Sequence, residues 1–289
     1  MKRPELLGLL LAVSIPMLQD RVDQSGVFSL KRQVAHLYLD SGEHVKRLCP
    51  GFEMLMADIY WLRTVQYYGG QVAFNPEPSF ELLEPLIDIT TTLDTRLDIA
   101  YRFGATFLSE GKPVGASNPD AGIKLLEKGV RNNPHSWRIG QYLGQFYFIF
   151  KKDSDRACQA LMEAAAVPGA PIWLKTLCGD IARKGGKRGM SRAIWQSIYD
   201  QEAESGGPMK GNAEWHLQQL DALDAAEALQ ILVGRFKQER GRNPRALAEL
   251  QAIGWLNPLP KDPLGHPFAF SEETGVVSIL KESPLWRSH

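Results

Sequence analysis

What most constrains the fold of this chain is a glycine that returns at the same place within a repeated helical pattern. Gly104, Gly144 and Gly179 each fall inside an apolar helical segment, 40 and 35 residues apart. A glycine in a helix interior costs up to about 1 kcal/mol relative to alanine, so its return at one register needs a compensating benefit. Close crossing of a second helix supplies that benefit. The spacing then predicts four helix pairs, 51–68 with 79–93, 97–109 with 119–131, 136–150 with 153–166, and 171–183 with 191–203. Large residues (Phe103, Phe107, Leu143, Tyr147) are expected around the glycines, with Ala121, Ala157 and Ala193 as small contacts from the second helices. One pair alone would leave an apolar face bare, and stacking several buries a continuous core.

Local signals set the breaks. Asn118 stands where a helix cap belongs and Pro119 at the first helical position, where its missing N–H costs nothing. Pro85 inside 79–93 is expected to kink that helix or delay its start. Leu55, Ile59, Leu62 and Gln66 follow helical spacing in the first helix, beside the Tyr60-Trp61 and Tyr67-Tyr68 pairs. Trp61, Trp137, Trp173 and Trp195 read as aromatics of the repeat core.

Ala57-Asp58-Ile59-Tyr60-Trp61-Leu62-Arg63, followed by Gln66-Tyr67-Tyr68-Gly69, resembles the opening repeat of a group of bacterial membrane-anchored tetratricopeptide proteins. Leu93-Asp94-Thr95 is similar to the Leu-Asp-Pro repeat ending, with Thr95 in place of proline. The resemblance spans residues 51–206 and implies a mainly α fold, a right-handed helical solenoid of the tetratricopeptide (TPR) type that binds peptides or proteins. It carries no catalytic residue across. Counted from the glycine register, the inner face of the first helices would present Asp98 and Tyr101, then Arg138, Gln141 and Gln145, then Trp173, Asp180 and Arg183. Arg, Gln, Tyr and Trp suit peptide recognition, and a solvated helix face is the alternative for the same positions.

The remainder differs. Residues 207–240 contain one long expected helix, 212–240, with Trp215, Leu220, Leu223, Ala226, Leu229, Leu232, Val233 and Phe236 as its apolar stripe and Gly241 as its stop. Residues 241–289 form a tail. In it a short helix at 244–253 precedes Leu259-Pro260-Lys261-Asp262-Pro263-Leu264-Gly265-His266-Pro267-Phe268, and 268–270 with 276–280 read as a β-hairpin about Ser271-Glu272-Glu273-Thr274-Gly275. This tail resembles the end of type II secretion major pseudopilins, where a long helix leads to Gly-x-x-Pro and then Leu-Pro-x-Asp-Pro-Trp-Gly-x-Pro-Tyr. Here Leu264 replaces the tryptophan and Phe268 the tyrosine. The pseudopilin N-terminal processing motif is absent, so the resemblance implies the local shape and not filament formation. It raises calcium ligation by Asp262, Glu272 and Glu273, against an Asp262 that caps its own Asp-Pro turn.

At the other end Lys2 and Arg3 precede 6–18, thirteen residues without charge. As a helix these span roughly 20 Å, short of the ~30 Å hydrocarbon layer. Residues 1–19 therefore fit a short uncleaved anchor, a cleaved signal, or an ordinary buried segment, with 20–50 as connector. An anchor places the body outside the cytoplasm, at a bacterial inner membrane facing the periplasm. A periplasmic or a cytoplasmic form is the alternative.

Chemical signatures are scarce. Lys plus Arg and Asp plus Glu both total 33, which argues against nucleic acid as a partner. No phosphate loop, dinucleotide fingerprint, zinc-protease or nucleophile-elbow motif occurs, and the six histidines are scattered. The odd count of three cysteines, with no CxxC pair, argues against a disulfide framework or a zinc site, and Cys158 and Cys178 read as small buried apolar groups. The expectation is a scaffold rather than an enzyme, without cofactor, metal or small-molecule substrate. Its partner would be another protein at the membrane, and the alternative role is an assembly subunit of a secretion- or pilus-like envelope complex.

Overall fold

The computed structural model describes residues 41–286. The N-terminal apolar run, with its anchor or signal reading, lies outside them. Among the described residues the fold is mainly helical, with eleven α-helices and one two-stranded antiparallel sheet. No helix among them is long and apolar enough to cross a membrane. The chain divides into two units, one running to Lys152 and including Glu163–Ala170, the other holding Asp153–Met162 and everything from Pro171 onward. The division falls within the stretch expected to be one array of repeats.

In the first unit α1 (Gly42–Leu48) packs on α3 (Leu83–Leu93), and α3 also packs on α2 (Glu53–Phe74). The proline sets the α3 start: the helix begins at Leu83 rather than residue 79, which leaves Pro85 in the first turn, where it breaks no helical hydrogen bond. α4 (Asp98–Ser109) packs between α3 and α5 (Pro119–Asn132), and α6 (Trp137–Phe146) follows against α5. The α5 start is the one the sequence announced, with Pro119 at its first turn and Asn118 Oδ1 accepting from Ala121 N–H at 3.2 Å. α6 widens into a π-turn over Tyr147–Lys151 and stops at Lys152, in left-handed conformation.

The glycine register has a concrete cause, though not with the expected neighbours. A methyl group on Gly104 would lie 3.1 Å from both Ile87 of α3 and Leu125 of α5. One on Gly179 would meet Trp195 Nε1 at 2.7 Å. Gly144 is buried in α6. Leu143, Tyr147, Ala121 and Ala157 are buried as expected, whereas Phe103 and Ala193 are exposed, because their two helices turn a different stripe inward.

The second unit opens with the Ser154–Met162 part of α7 (Ser154–Ala165), followed by α8 (Trp173–Lys184), α9 (Arg188–Ser205) and α10 (Lys210–Arg240). α8 packs on α9 and α9 on α10. Here the cysteine expectation is corrected. Cys158 of α7 and Cys178 of α8, both buried, form a disulfide, with Cα atoms 4.8 Å apart. Two helix faces meeting 20 residues apart in sequence bring the sulfurs together, which no local spacing announces.

α10 builds two cores. Its first half joins Trp195 and Ile198 of α9 through Ala213 and Leu220. Its second half, through Ala222, Leu229, Val233 and Phe236, covers the tail. It ends at Gly241, whose φ of 71° closes the helix in the left-handed region that a side chain resists. The tail carries α11 (Ala248–Ala252) and the expected hairpin, β1 (Phe268–Ser271) with β2 (Val276–Ile279), register Phe268 to Ile279 and Ser271 to Val276. Phe268, Val277, Ile279, Leu250 and Leu285 complete the α10 core, so the tail is part of this unit's interior and not an appendage.

Candidate binding surfaces

α2 carries the least ordinary surface of the described chain. Its buried side consists of Ala57, Tyr60, Thr64, Tyr67, Gly70 and Gln71. Polar contacts lock that side in place: Tyr67 Oη donates to Ser79 O at 2.6 Å, and Gln71 Oε1 accepts from Ser79 N–H at 2.9 Å. Burial pushes the Tyr67 phenol above its ordinary pKa, with the Glu81 charge adding to the effect. That phase turns Leu55, Ile59, Leu62 and Val65 outward, with Leu55 55% and Leu62 59% exposed. Phe52, Met54, Val72 and Phe74 are exposed too. Helical geometry puts most of these on one broad, largely apolar face opposite the buried one, with the exposed Asp58 between Leu55 and Leu62.

One step round α2 the same face meets aromatic rings. Tyr68 stacks on Phe107 of α4 at 3.9 Å, and Trp61 lies parallel to the same ring at 6.2 Å. Phe103 adjoins Phe107, and the Arg102 guanidinium sits over both Phe103 and Tyr142, at 5.9 and 5.5 Å. Three helices, α2, α4 and α6, thus share a band of half-exposed aromatic and arginine side chains. That composition concentrates binding energy at protein interfaces.

The residues expected to line an inner groove fare unevenly. Tyr101 is corrected: it is 0% exposed, receives a hydrogen bond from Asn132 Nδ2 at 3.0 Å and donates to the Thr95 carbonyl at 3.2 Å. Burial raises its pKa. It holds α4 to α5 and faces no groove. Asp98 pairs with Arg102 and accepts from Ser136 Oγ, so it orients the arginine of the aromatic band. Arg138 is exposed over Trp137 at 4.5 Å, and Gln141 and Gln145 are half-buried on the same helix. In the second unit Trp173 is exposed, Asp180 lies 3.7 Å from His216 Nδ1, and Arg183 lines a cleft with α10 and β2. Of the four tryptophans expected in the core, only Trp195 is fully buried.

No protein-family model, curated protein or solved structure matches the chain.

In the tail Asp262 takes the turn-capping role that the sequence also offered for it. Asp262 is buried, and its Oδ1 accepts from Leu264 N–H at 3.0 Å and His266 N–H at 2.8 Å, while Ser283 Oγ donates to Oδ2. It caps its own turn, and Glu272 and Glu273 are exposed on the hairpin loop. Among the described residues no group of three or more His, Cys, Asp or Glu side chains is placed to hold a metal ion. Burial alone would raise the Asp262 pKa. The Ser283, His266 and Leu264 hydrogen bonds and the nearby His266 ring outweigh it and hold the carboxyl below its ordinary value.

A depressed carboxylate pKa stabilises the fold above the unfolded value near ~4 and loses that contribution as pH falls through the folded value. Asp262→Ala is therefore expected to cost about 2 kcal/mol at pH 7, and Asp262→Asn part of that. The gap from wild type should shrink in urea titrations at pH 3. A constant gap at both pH values would remove the charge from the account.

Proposed function

We propose that this protein is a non-enzymatic scaffold of the tetratricopeptide-like kind, held at a bacterial membrane by its N-terminal segment, which captures an apolar helix of another envelope protein on the exposed face of α2. The face itself carries the proposal. α2 is 22 residues long, about 33 Å, with only Glu53, Asp58 and Arg63 charged along it. Its outward residues recur at three- and four-residue steps, which is the spacing that ridges of a second helix fill. Leaving so many large apolar side chains in water is costly, so a partner of matching chemistry gains their burial, roughly 25 cal/mol per Å². The adjoining Trp61, Tyr68 and Phe107 supply rigid anchors and Arg102 a polar rim.

The Cys158–Cys178 disulfide supports the body facing an oxidising compartment, since such bonds are rare in the reducing cytosol of most organisms. That agrees with an N-terminal segment whose positive charges precede its apolar run.

The test uses the full chain in its native membrane, with a photo-crosslinking residue in place of Ile59. A discrete protein adduct is expected, reduced at least about tenfold by Leu55→Asp together with Leu62→Asp. Both positions are exposed, so this variant should keep its helical signal and its stability. An adduct unchanged by the two aspartates, or one formed only with lipid or with a second copy of the chain, would overturn the proposal.

A further inference from the structure

The second unit holds a separate cleft of about 360 Å³. Leu223 and Ala226 of α10, three residues of β2, Trp286 and Arg183 of α8 line it. Two side-chain amides of α10, Gln219 and Gln230, also line it. Gln230 takes both backbone partners a neighbouring strand would take, donating to Gly275 O and accepting from Val277 N–H, each at 2.8 Å. Gln219 donates to Leu285 O at 2.9 Å.

The Val277 bond fixes which way β2 faces. Val277 N–H points away from β1, so the pair Phe270–Val277 is of the kind without hydrogen bonds between the strands. Alternation along an antiparallel ladder then turns the N–H and C=O of Ile279, opposite Phe268, outward as well. Ile279 lines the cleft. β2 therefore presents an edge whose hydrogen-bonding groups are already matched by protein amides at one end and open further along.

Two polar groups beside that edge lack partners. Gln219 is only 3% exposed, and its Oε1 accepts no hydrogen bond; Arg183 Nε donates none. The neighbouring Arg188 is ion-paired to Asp224 and Glu227, so among the described residues Arg183 is the cation of the cleft without an ion pair. A buried acceptor, a buried donor and an open strand edge are what a peptide backbone with a carboxylate side chain satisfies together. Apolar side chains at alternate peptide positions would rest on Leu223, Ala226 and Trp286.

We propose that this cleft binds an extended peptide segment of another protein as a third strand beside β2, with an acidic side chain paired to Arg183. The site is distinct from the α2 face and does not depend on what that face binds.

The probe is a fluorescently labelled hexapeptide of alternating valine and threonine, with glutamate scanned through every position, titrated into the full chain by anisotropy. One or two glutamate positions are expected to bind best. Arg183→Met should weaken those peptides about tenfold and leave the glutamate-free peptide unchanged. Methylating the backbone nitrogens that face β2 should abolish binding, while methylating the alternate ones should not. Trp286→Ala, at a partly exposed position, gives a second variant whose fold is checked by circular dichroism. No binding by any peptide below about 1 mM, equal binding by Arg183→Met, or indifference to the methylation pattern would each overturn the proposal.

Discussion

Trp195→Ala is expected to destabilise the second unit by about 4 kcal/mol, near the top of the range for deleting a buried aromatic. The side chain is 1% exposed and stacks on the His216 ring at 3.8 Å, nearly parallel. On its other side the indole lies against Gly179, whose missing side chain makes the space for it. Removal leaves a cavity that Gly179 cannot fill and uncovers His216, which is itself buried and braced edge-on by Trp215. A native domain is held by only about 5–15 kcal/mol, so the loss is a large fraction of the total. Trp195→Phe separates the packing role from the polar one. The indole Nε1 has no hydrogen-bond partner in its buried position, so phenylalanine forfeits volume but no bond. It should cost well under half as much in urea denaturation followed by far-ultraviolet circular dichroism. Equal losses for the two variants would show that the cavity is not the dominant effect.

Breaking the Cys158–Cys178 link should cost about 3 kcal/mol. The link closes a loop of 20 residues, and the lost conformational freedom of the unfolded chain scales with the logarithm of that length. Both residues sit inside helices, Cys158 in α7 and Cys178 in α8, so the bond joins elements that are already ordered. Denaturation midpoints measured with and without reductant give the size of the effect, with Cys158→Ala plus Cys178→Ala as the reference that reductant cannot alter. Cys49 is free and stands in the first unit, so it supplies an internal control for thiol labelling. Two alkylated cysteines that appear only after reduction are expected in chain taken from its native compartment. Three reactive thiols under native extraction, after denaturation but before any reductant, would place the body in a reducing compartment and remove that support for export.

Legibility followed locality. The α5 cap at Asn118, the displaced start of α3 at Pro85, the stop at Gly241 and the hairpin turn were all readable, because each is decided by residues within one turn of the event. The helical phase was not. On α2 large apolar or aromatic residues stand on both stripes, and spacing alone favoured Leu55, Ile59 and Leu62, whereas the structure buries Tyr60, Thr64, Tyr67 and Gln71. What decides between them is the hydrogen-bonding of Tyr67 and Gln71 to the segment before α3, a tertiary fact. The signal for a two-sided helix was present all the same, in a long helix apolar nearly all round. Tyr101 failed for the reverse reason. A phenol looks like a surface anchor, yet here it finds Asn132 and two backbone carbonyls inside. The open edge of β2 has no sequence signature, because Gln219 and Gln230 belong to a helix 45 or more residues away along the chain.

The placement of α10 has one more consequence. Its 31 residues give it a length of about 46 Å, and it forms a wall of both cores of the second unit. Fraying at either end is local, but losing the middle of this helix exposes Leu220 and Leu229 together. Among the described residues the hairpin and the α8–α9 pair share no other long element, so their melting is expected to be tied through this one. The second unit is thus expected to melt as a single cooperative block, in which a ligand gained at β2 would steady α9 at a distance.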